Sequence, residues 1–315
     1  MSKLSIVIPV YYSAETLMDC YVDLRDTVLQ CLEHYELILV DDGSGDNSWE
    51  ICKEIADRDD NVRLIKLSRN FGSHAACYAG LTICTGDCAA IKSADCQEPS
   101  SLILDMFESW KQGNRVVLAI REGREEHFYQ RLFANLYYGL VRKYVSKDMP
   151  KAGFDCYLVD RRAIEALKLL DERNSAITLQ VLWTGFKTAL VPYTRIARQK
   201  GKSRWTLSKK IKLFLDSFVS FSPAPVRFVE WLGVLFAAAS VIWGVVLIIL
   251  RLSGAINVAG WTTLMVIVLF SSGIIMLSLG ILGEYIWRTL DVAQNRPVYI
   301  IEEEFHGKDT ISGEK

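Results

Sequence analysis

Leu4–Val10, which reads LSIVIPV, and Tyr35–Ser44, which reads YELILVDDGS, are the two stretches that decide the fold. Each opens with a short run of apolar residues, several of them β-branched, and such a run is typical of a buried strand. The second run ends in the polar turn Asp41-Asp42-Gly43-Ser44. Residues 14–31 carry apolar side chains at helical spacing. We therefore predict a strand, a helix and a second strand, in that order.

The same alternation continues through the first two-thirds of the chain. It predicts strands at 62–67, 88–91, 115–120 and 154–159, and helices at 48–58, at 74–84 and in a long segment that ends at Tyr144. Strands that alternate with helices form a mostly parallel sheet with helices on both faces. The predicted fold class is therefore α/β, with a Rossmann-like sheet in a domain of residues 1–200.

Ligands of such sheets bind beyond the carboxyl ends of the strands, near the point where the strand order reverses. This rule locates a candidate site before any motif is considered. The loops that should form it are Pro9–Thr16, Asp41–Asn47, Ser68–Ser73 and Ser93–Ser100.

The last third of the chain has a different composition. Half of the 315 residues are apolar and 23% are charged, and the two kinds are separated along the chain. The segments Trp231–Leu250 and Trp261–Gly283 contain no charged residue, and each is long enough to cross a bilayer as a helix. We predict transmembrane helices at 228–252 and 261–287. The alternative is a pair of buried core helices, which are usually shorter and carry a polar face.

Charges around these segments predict the orientation. The stretch before the first span holds one acid, Asp216, and eight basic residues: Arg198, Lys200, Lys202, Arg204, Lys209, Lys210, Lys212 and Arg227. Basic flanks favour the cytoplasmic side. We therefore expect a multi-pass protein of the cell (inner or plasma) membrane with a cytoplasmic catalytic domain. Amphipathic juxtamembrane helices are predicted at 201–227, or alternatively a helix docked on the domain, and a cytoplasmic tail at 288–315, mobile from Glu302.

Other polar residues offer weaker signals. The eight cysteines lack the paired short spacings of a zinc framework, so we predict reduced, mostly packed thiols. His74 is expected to be structural, and Glu284 is expected to pair with Arg288 at the end of the second span. The net charge of −1 gives no reason to expect a nucleic-acid partner.

Two acidic loops carry the chemistry. A carboxylate of Asp41-Asp42-Gly43-Ser44 could accept hydrogen bonds from a nucleobase or a ribose, although Asp-Asp-Gly is also an ordinary turn. The loop Ser93–Pro99 reads SADCQEP, and Asp95 in it could hold Mg²⁺ or Mn²⁺ against a diphosphate. The alternative role for a single Asp after a strand is to cap the next helix.

These motifs occur in an order that resembles the inverting family 2 glycosyltransferases with a GT-A fold, and among them the polyprenyl-phosphate sugar transferases. The segments that carry the resemblance are Ile6–Tyr11, Asp41–Ser44, Asn70–Gly72, Ala94–Pro99, Gly153–Leu158, Arg198–Trp205 and Gly283–Ile286. Together they cover nearly the whole chain. The resemblance implies transfer of one sugar, with inversion, from a nucleotide-sugar, preferably a UDP-sugar, to a polyprenyl phosphate such as undecaprenyl phosphate.

The resemblance also implies roles for particular residues. The donor would be bound by Pro9, Tyr11, Glu15, Asp42, Ser44, Asn70, Asp95 and Gln97. The catalytic residues would be Asp95, Asp155, Arg121 and Arg131. The acceptor phosphate would be bound by Arg121, Arg124, Arg131, Lys202, Ser203 and Arg204. The partners would be the donor, the lipid, the membrane and other copies of the chain in a homo-oligomer.

One position departs from the subgroup. Its metal loop often has Asp-x-Asp, and the first of these positions is Ser93 here, so Asp95 would bind Mg²⁺ or Mn²⁺ with Gln97 or with water. Asp155 is interpreted as an orienting group, because a phosphate nucleophile is already ionised near neutral pH and needs no strong base. The arginines could instead form a solvated basic face balanced by neighbouring glutamates.

Three other functions remain possible at this point. A processive polysaccharide synthase would need Gln-x-x-Arg-Trp, but Gln199 lies five residues before Arg204, and it would need more spans. A membrane-tethered nucleotide-sugar-binding or regulatory protein without activity is supported only by Ser93. A small transporter or flippase would usually have ionisable residues in the middle of its spans, and these spans have none.

Overall fold

Strand β1 lies inside a mixed sheet, with a parallel neighbour on each side. β1 (Leu4–Val10) pairs with β2 (Tyr35–Asp41) from Leu4 opposite Tyr35 to Val10 opposite Asp41, and on its other side with β4 (Cys88–Ile91). The computed structural model describes residues 2–122, 128–151, 153–170, 172, 175–196, 216–217, 219–253 and 260–306. Both faces of β1 are buried because helices cover them, which explains the apolar run in its sequence.

The sheet contains eight strands in the described part of the chain, in the order β7-β5-β6-β4-β1-β2-β3-β8. The remaining strands are β3 (Val62–Leu67), β5 (Val116–Glu122), β6 (Tyr157–Asp160), β7 (Thr188–Thr194) and β8 (Ile301–His306). The helices of this unit are α1 (Leu17–Thr27), α2 (Ser48–Ala56), α3 (Ser73–Ile83), α4 (Leu102–Lys111), α5 (Phe128–Tyr144), α6 (Arg161–Lys168) and α7 (Ile177–Trp183). A 3₁₀ turn at Leu29–Cys31 follows α1.

Strand direction decides which side chains meet. β6 and β8 are antiparallel to their neighbours, and β5 and β7 run in the same direction as β4. The carboxyl ends of β1 to β5 and β7 therefore lie at one edge of the sheet, together with the amino ends of β6 and β8. We call this the carboxyl edge. Residues just before β6 consequently join the loops that follow the parallel strands.

The opposite edge of the sheet is closed around one buried carboxylate. Glu36 accepts hydrogen bonds from the Ser5 hydroxyl at 2.5 Å, from the Thr85 hydroxyl at 2.7 Å and from the backbone N–H of Gly86 at 3.1 Å. Burial alone would raise the pKa of Glu36, but these hydrogen bonds lower it. The network holds the turn before β4 against β1 and β2.

Strand β8 corrects the expectation of a mobile tail from Glu302. It pairs antiparallel with β3 and is the outermost strand on that side of the described sheet. Glu304 forms an ion pair with Arg63, and Lys66 lies 3.3 Å from a carboxylate oxygen of both Glu302 and Glu303. The three consecutive glutamates that look like a polar tail therefore belong to an edge strand and pair with basic residues of β3.

Two long apolar helices form a separate unit, Phe218–Arg296. They are α8 (Ala224–Leu252) and α9 (Trp261–Ala293), which contain the predicted segments 228–252 and 261–287. The windows Ala224–Val246 and Phe270–Ala293 have mean hydropathies of 1.9 and 1.4, are not buried by other parts of the protein, and are long enough to cross a membrane. Glu284 pairs with Arg288 at 3.0 Å, as expected. Most of the predicted amphipathic segment 201–227 lies outside the described residues.

Candidate active site

The carboxyl edge contains the reversal of strand order that the sequence analysis sought. The chain proceeds from β1 to β2 and β3 in one direction and then returns to place β4 on the other side of β1. Loops that leave β1 and β4 in opposite directions open a crevice between them. The Thr16 hydroxyl, in the loop after β1, donates to the carbonyl of Ala94 at 2.8 Å and joins the two loops.

Asp42 is placed to organise the loop after β3. Its carboxylate accepts hydrogen bonds from the backbone N–H of Phe71 at 2.7 Å and of Gly72 at 2.9 Å, and the residue is only 3% exposed. Such charge-assisted bonds are stronger than neutral ones. Asp42 therefore ties the end of β2 to the Asn70-Phe71-Gly72 motif, a role that the sequence analysis did not anticipate beside its proposed contact with a nucleotide.

The loop after β2 passes close to the backbone of the loop after β3 at Gly43, and this close approach requires a glycine. Its φ is +68°, and a Cβ atom there would lie 2.6 Å from the carbonyl carbon of Arg69 and 2.7 Å from the backbone nitrogen of Asn70. A side chain would therefore meet both backbone strain and a backbone clash. The Asp-Asp-Gly sequence is here more than an ordinary turn, because its glycine allows the neighbouring loop to pass.

The loop after β1 is held to the same turn. The backbone N–H of Tyr12 donates to the Ser44 hydroxyl at 3.0 Å, and that of Ser13 donates to the Ser48 hydroxyl at 2.8 Å. Tyr12 has a φ of +51°, which directs the chain sharply away from the sheet. The structure thus brings the predicted donor residues of three consecutive strands to one side of the crevice: Pro9, Tyr11, Glu15, Asp42, Ser44 and Asn70.

The loop after β4 gathers two carboxylates around one hydroxyl. Ser93 Oγ lies 2.6 Å from Asp95 Oδ1 and also hydrogen-bonds to Glu98 Oε2. Cys96 has a φ of +54°, which turns the loop so that Glu98 faces back to Ser93. Burial raises the pKa of Glu98, and the Asp95 charge adds to this effect.

Gln97 has two sets of contacts: its backbone N–H donates to Asp95 Oδ1 at 3.3 Å, and its side chain contacts Arg195. Its amide oxygen accepts a hydrogen bond from the guanidinium of Arg195, and its carbonyl accepts one from the backbone N–H of Ile196 at 2.9 Å. The Ser93–Pro99 loop is therefore held by the segment that follows β7. Gln97 is predicted as a metal ligand, and its contact with Arg195 was not predicted from the sequence.

Arg121 and Asp155 meet across two neighbouring strands. Arg121 lies on β5, Asp155 precedes β6, and their side chains form an ion pair in which Arg121 is 15% and Asp155 is 59% exposed. The Arg121 guanidinium also donates to the Tyr193 hydroxyl at 3.2 Å. Burial would lower the pKa of Arg121, but the Asp155 charge and the Tyr193 hydrogen bond raise it. The ion pair gives Asp155 a contact through which it can orient the Arg121 guanidinium.

Several predicted acceptor residues cannot be located in the same way. Arg131 lies in α5, and its side chain is outside the described part of the structure. Arg124, Lys202, Ser203 and Arg204 are also outside the described residues. Their proposed roles stay predictions.

Other predictions about polar residues can be assessed. His74 contacts the carbonyl of Glu172 at 3.0 Å through Nε2, which agrees with a structural role. All eight cysteines are free thiols, and six of them are buried, as predicted. Among the described residues no group of three or more His, Cys, Asp or Glu side chains forms a metal cluster.

Three residues of the site were missed: Glu98, Tyr193 and Arg195. Glu98 stood within the quoted SADCQEP loop, and its position three residues after Asp95 was the available signal. Tyr193 and Arg195 belong to the end of β7, a half-exposed strand whose sequence, Thr188–Thr194, lacks a continuous apolar run. No local pattern would have revealed their contacts with Arg121 and Gln97.

The arrangement has the parts needed to hold a phosphorylated ligand. The loops after β1, β2 and β3, held by backbone hydrogen bonds, lie on one side. The Ser93–Pro99 loop with its carboxylates follows β4, next to them in the sheet. The Arg121 guanidinium, paired with the exposed Asp155 carboxylate, lies on the other side. Arginine can bind a phosphate through two parallel hydrogen bonds, and carboxylates bind the cations that accompany diphosphates.

Comparison with known proteins identifies two segments. Residues 5–168, more than half of the chain, match Glycosyl transferase family 2, and residues 224–288 match the GtrB C-terminal hairpin. The first segment contains the loops after β1 to β4 and the Arg121–Asp155 pair, and the second contains most of α8 and α9. The two segments correspond to the two structural units.

Full-length relatives agree with this division. The chain is 37% identical over 302 residues to an uncharacterized glycosyltransferase, YkcC, of Bacillus subtilis (strain 168), covering 96% of this chain and 94% of the relative. It is 33% identical to the SfII prophage-derived bactoprenol glucosyl transferase of Shigella flexneri, covering 97% and 99%. These relatives support the predicted enzyme rather than a tethered binding protein.

A solved structure of glucosyl-3-phosphoglycerate synthase from Mycobacterium tuberculosis, in complex with Mn²⁺, UDP and glucosyl-3-phosphoglycerate, is also similar. Its TM-score is 0.47 at 14% identity, covering 64% of this chain and 73% of that one. The family match and the mostly parallel α/β sheet confirm the predicted GT-A fold. The chain belongs to glycosyl transferase family 2 and is a glycosyltransferase.

Proposed function

We propose that this glycosyltransferase moves one sugar from a UDP-sugar to undecaprenyl phosphate or a related polyprenyl phosphate. The observation that carries the proposal is the joining of a family 2 domain to an apolar two-helix hairpin in one chain. Relatives named bactoprenol glucosyl transferase align with this chain over nearly its whole length and support a polyprenyl acceptor. The product would be a lipid-linked sugar for modification of cell-envelope glycans.

The donor nucleotide would lie on the side of the crevice formed by the loops after β1, β2 and β3. Pro9 lies near the end of β1, Tyr11 and Glu15 lie in the loop that follows it, and Asp42, Ser44 and Asn70 belong to the other two loops. The contacts of Asp42 with Phe71 and Gly72 would keep the loops in a fixed shape before the nucleotide arrives. A shape formed in advance lowers the ordering cost of binding.

The residues present fit a divalent cation beside the donor diphosphate. Mg²⁺ and Mn²⁺ sites of nucleotide enzymes use one or two carboxylates and complete their coordination with phosphate oxygens and water. Asp95 offers a carboxylate at the end of β4, close to the crevice. Bound there, Mg²⁺ or Mn²⁺ would neutralise the charge that develops on the leaving diphosphate. Gln97 would need to exchange its contact with Arg195 before it could join Asp95.

The acceptor phosphate would be bound by Arg121. Its guanidinium would exchange part of its contact with Asp155 for two phosphate oxygens, and Asp155 would then keep the arginine in position. An ionised phosphate oxygen forms a bond to the anomeric carbon as the bond to the diphosphate breaks, and the diphosphate takes that electron pair. Attack from the opposite side inverts the configuration. Arg124, Arg131, Lys202, Ser203 and Arg204 are proposed to add further contacts with the phosphate.

The membrane arrangement follows from the charges. We propose that α8 and α9 both cross the membrane, with the family 2 domain on the cytoplasmic face and only the short connection between the helices outside. The seven basic residues from Arg198 to Lys212 precede α8 in the sequence, Arg227 lies in its first turn, and Arg288 and Arg296 lie at the end of the hairpin. A homo-oligomer packed through the hairpins is proposed as well, on the resemblance to the subgroup alone.

The test is a transfer assay with the purified full-length protein. It is incubated with undecaprenyl phosphate, Mg²⁺ or Mn²⁺, and a panel of UDP-glucose, UDP-N-acetyl sugars, a UDP-aminoarabinose derivative and GDP-mannose. The lipid fraction is then analysed by mass. We expect one donor to add the mass of one sugar, and Asp95→Ala to abolish the product.

A matched control separates loss of the site from a general effect of removing a carboxylate. Asp105 is an exposed residue of α4, so Asp105→Ala should keep the activity. If a nucleotide binds but no donor yields a glycosylated lipid, the proposed acceptor is wrong. If GDP-mannose is the donor used, the preference for uridine is wrong and the lipid acceptor is supported.

A further inference from the structure

The cluster at Ser93 contains more hydrogen-bond acceptors than one hydroxyl can satisfy. Ser93 Oγ lies within hydrogen-bond distance of Asp95 Oδ1 and of Glu98 Oε2. A serine hydroxyl has a single hydrogen and donates it to one oxygen at a time, whereas ionised carboxylates only accept. Asp95 Oδ1 also accepts the backbone N–H of Gln97 at 3.3 Å, whereas the described residues give Glu98 Oε2 no donor other than Ser93. An excess of oxygen acceptors of this kind is what a small hard cation satisfies.

Glu98 is also deeply buried. The residue is 3% exposed, and within the described part of the chain its carboxylate has no ion-pair partner. The charge of the buried Lys92 ammonium lowers the pKa of Glu98, but this ammonium donates its hydrogen bond to the backbone carbonyl of Glu98, at 2.5 Å. A buried carboxylate is costly unless a positive charge accompanies it. Its only described hydrogen bond leads through Ser93 toward Asp95.

The amide that the sequence analysis paired with Asp95 is occupied elsewhere. Gln97 is held by Arg195 through its side chain and by Ile196 through its carbonyl. The left-handed backbone of Cys96 and the turn that follows it bring position 98, rather than position 97, back to Ser93. Of the residues that follow Asp95 in this loop, Glu98 is thus the one whose oxygen shares a partner with the Asp95 carboxylate.

We propose that Glu98 is the second anionic group of the divalent-cation site, and that the Ser93 hydroxyl connects its charge to Asp95. Glu98 acts as a positioning residue for the cation bound at Asp95, and the Ser93–Glu98 pair supplies the negative charge that Ser93 itself lacks. The inference rests on the proposed function, because it assumes a cation that accompanies the donor diphosphate. It makes Glu98 a part of the donor site.

The test removes the carboxylate at position 98 and places a carboxylate at position 93 instead. Full-length protein in detergent is titrated with Mn²⁺ in the presence of UDP, and free Mn²⁺ is measured by electron paramagnetic resonance. UDP binding is measured in the same samples by calorimetry, with and without Mn²⁺. The variants are Glu98→Gln, Ser93→Asp and the double variant Ser93→Asp/Glu98→Gln.

We expect Glu98→Gln to weaken Mn²⁺ binding by about 10- to 100-fold, the usual effect of removing a supporting group around a metal. UDP binding without Mn²⁺ should not change. The double variant should recover most of the lost Mn²⁺ affinity, because it restores a carboxylate next to Asp95. The matched control is Glu165→Gln on α6, where an exposed glutamate pairs with Lys168, and it should bind Mn²⁺ like the wild type.

Two results would overturn the inference. One is a Glu98→Gln protein that binds Mn²⁺ as tightly as the wild type. The other is a double variant no better than Glu98→Gln, since the two positions would then not supply the same charge. If Glu98→Gln does not fold, as judged by its thermal unfolding without Mn²⁺, Glu98→Asp replaces it, and unchanged Mn²⁺ affinity in that shortened variant has the same meaning.

The measurement on the wild type separates this inference from the proposed function. If the wild type binds neither UDP nor Mn²⁺, the proposed donor site is wrong and the inference falls with it. If the wild type binds both and Glu98→Gln is unaffected, only the role of Glu98 is wrong. Loss of Mn²⁺ binding in Glu98→Gln with recovery in the double variant supports both.

Discussion

The two sides of the crevice satisfy their charged groups in different ways. On the proposed donor side, formed by the loops after β1, β2 and β3, the Asp42 carboxylate accepts hydrogen bonds from backbone N–H groups, and the residue is 3% exposed. On the proposed acceptor side, formed by the ends of β5, β6 and β7 at the carboxyl edge, charged side chains contact one another. There Arg121 pairs with Asp155, whose side chain is 59% exposed.

This difference indicates how each side can work. A carboxylate that accepts from the backbone cannot change its partner unless the loop itself rearranges, so the donor side keeps one shape. An ion pair between partly exposed side chains contributes little to stability and can exchange one partner for a ligand. We infer that the donor side is built for shape and that the acceptor side is built from charges that a phosphate can take over.

The largest effect should follow from breaking the acceptor side at Arg121. Arg121→Ala removes a fork of donors aimed at the proposed phosphate site, so transfer to undecaprenyl phosphate should fall by about 10²- to 10³-fold, as it does when a preorganised donor is lost. Because the donor side does not depend on this side chain, UDP binding measured by calorimetry should remain unchanged. Arg121→Lys should recover only part of the activity, since lysine lacks the planar fork.

Arg58→Ala provides the control for Arg121. Arg58 is an exposed arginine that follows α2 and forms an ion pair with Glu54, away from the crevice. Its replacement should leave both transfer and UDP binding unchanged. A similar loss of UDP binding and of transfer in Arg121→Ala would contradict the division into two independent sides.

Sequence patterns were sufficient for the centre of the sheet. The apolar runs at Leu4–Val10 and Cys88–Ile91 coincide with β1 and β4, because a strand covered on both faces must be largely apolar along its length. The edge strands β7 and β8 were missed. Their side chains are half exposed, and β8 is stabilised by pairs such as Arg63–Glu304, which are distant in sequence. Local periodicity has no information about such pairs.

The same limit applies to the site. Asp42 and Asp95 could be predicted because a polar turn after a buried strand is a local feature. Whether Gln97 faces a cation or Arg195 depends on where β7 lies, and that strand was not predicted. Asp155 was named from a resemblance, and its contact with Arg121 follows from the antiparallel direction of β6. Residues whose partners come from neighbouring strands therefore need the fold before they can be interpreted.

A smaller effect, on stability, should follow from disturbing the donor side at Gly43. Gly43→Ala places a Cβ atom 2.6 Å from the backbone of Arg69 at a φ of +68°. We expect the free energy of unfolding to fall by about 1–3 kcal/mol, as for other strained backbone positions, together with weaker UDP binding. Gly185→Ala is the matched control, because Gly185 has a φ of +67° with nothing within 4 Å. Equal losses in the two variants would show that the loop crossing adds nothing to the strain.

The smallest effect concerns Asp41, the exception on the donor side. It is fully buried, its Oδ2 accepts from the backbone N–H of Ser44 at 3.2 Å, and its Oδ1 has no hydrogen-bond partner among the described residues. Burial raises the pKa of Asp41, so the folded protein binds this proton more tightly than the unfolded chain does. A carboxyl group of this kind favours folding below its unfolded pKa of about 3.9, and that contribution is lost as the pH rises through its higher folded value.

Asp41→Asn, which stays neutral, should therefore gain stability relative to the wild type between about pH 4 and pH 7. The measurement is the difference in unfolding midpoint between the two proteins across that range. If the difference in unfolding midpoint is constant with pH, the buried Asp41 carboxyl ionises as easily as an exposed aspartate. The Asp41 carboxylate would then be stabilised by its surroundings as fully as the Asp42 carboxylate is by the backbone N–H groups.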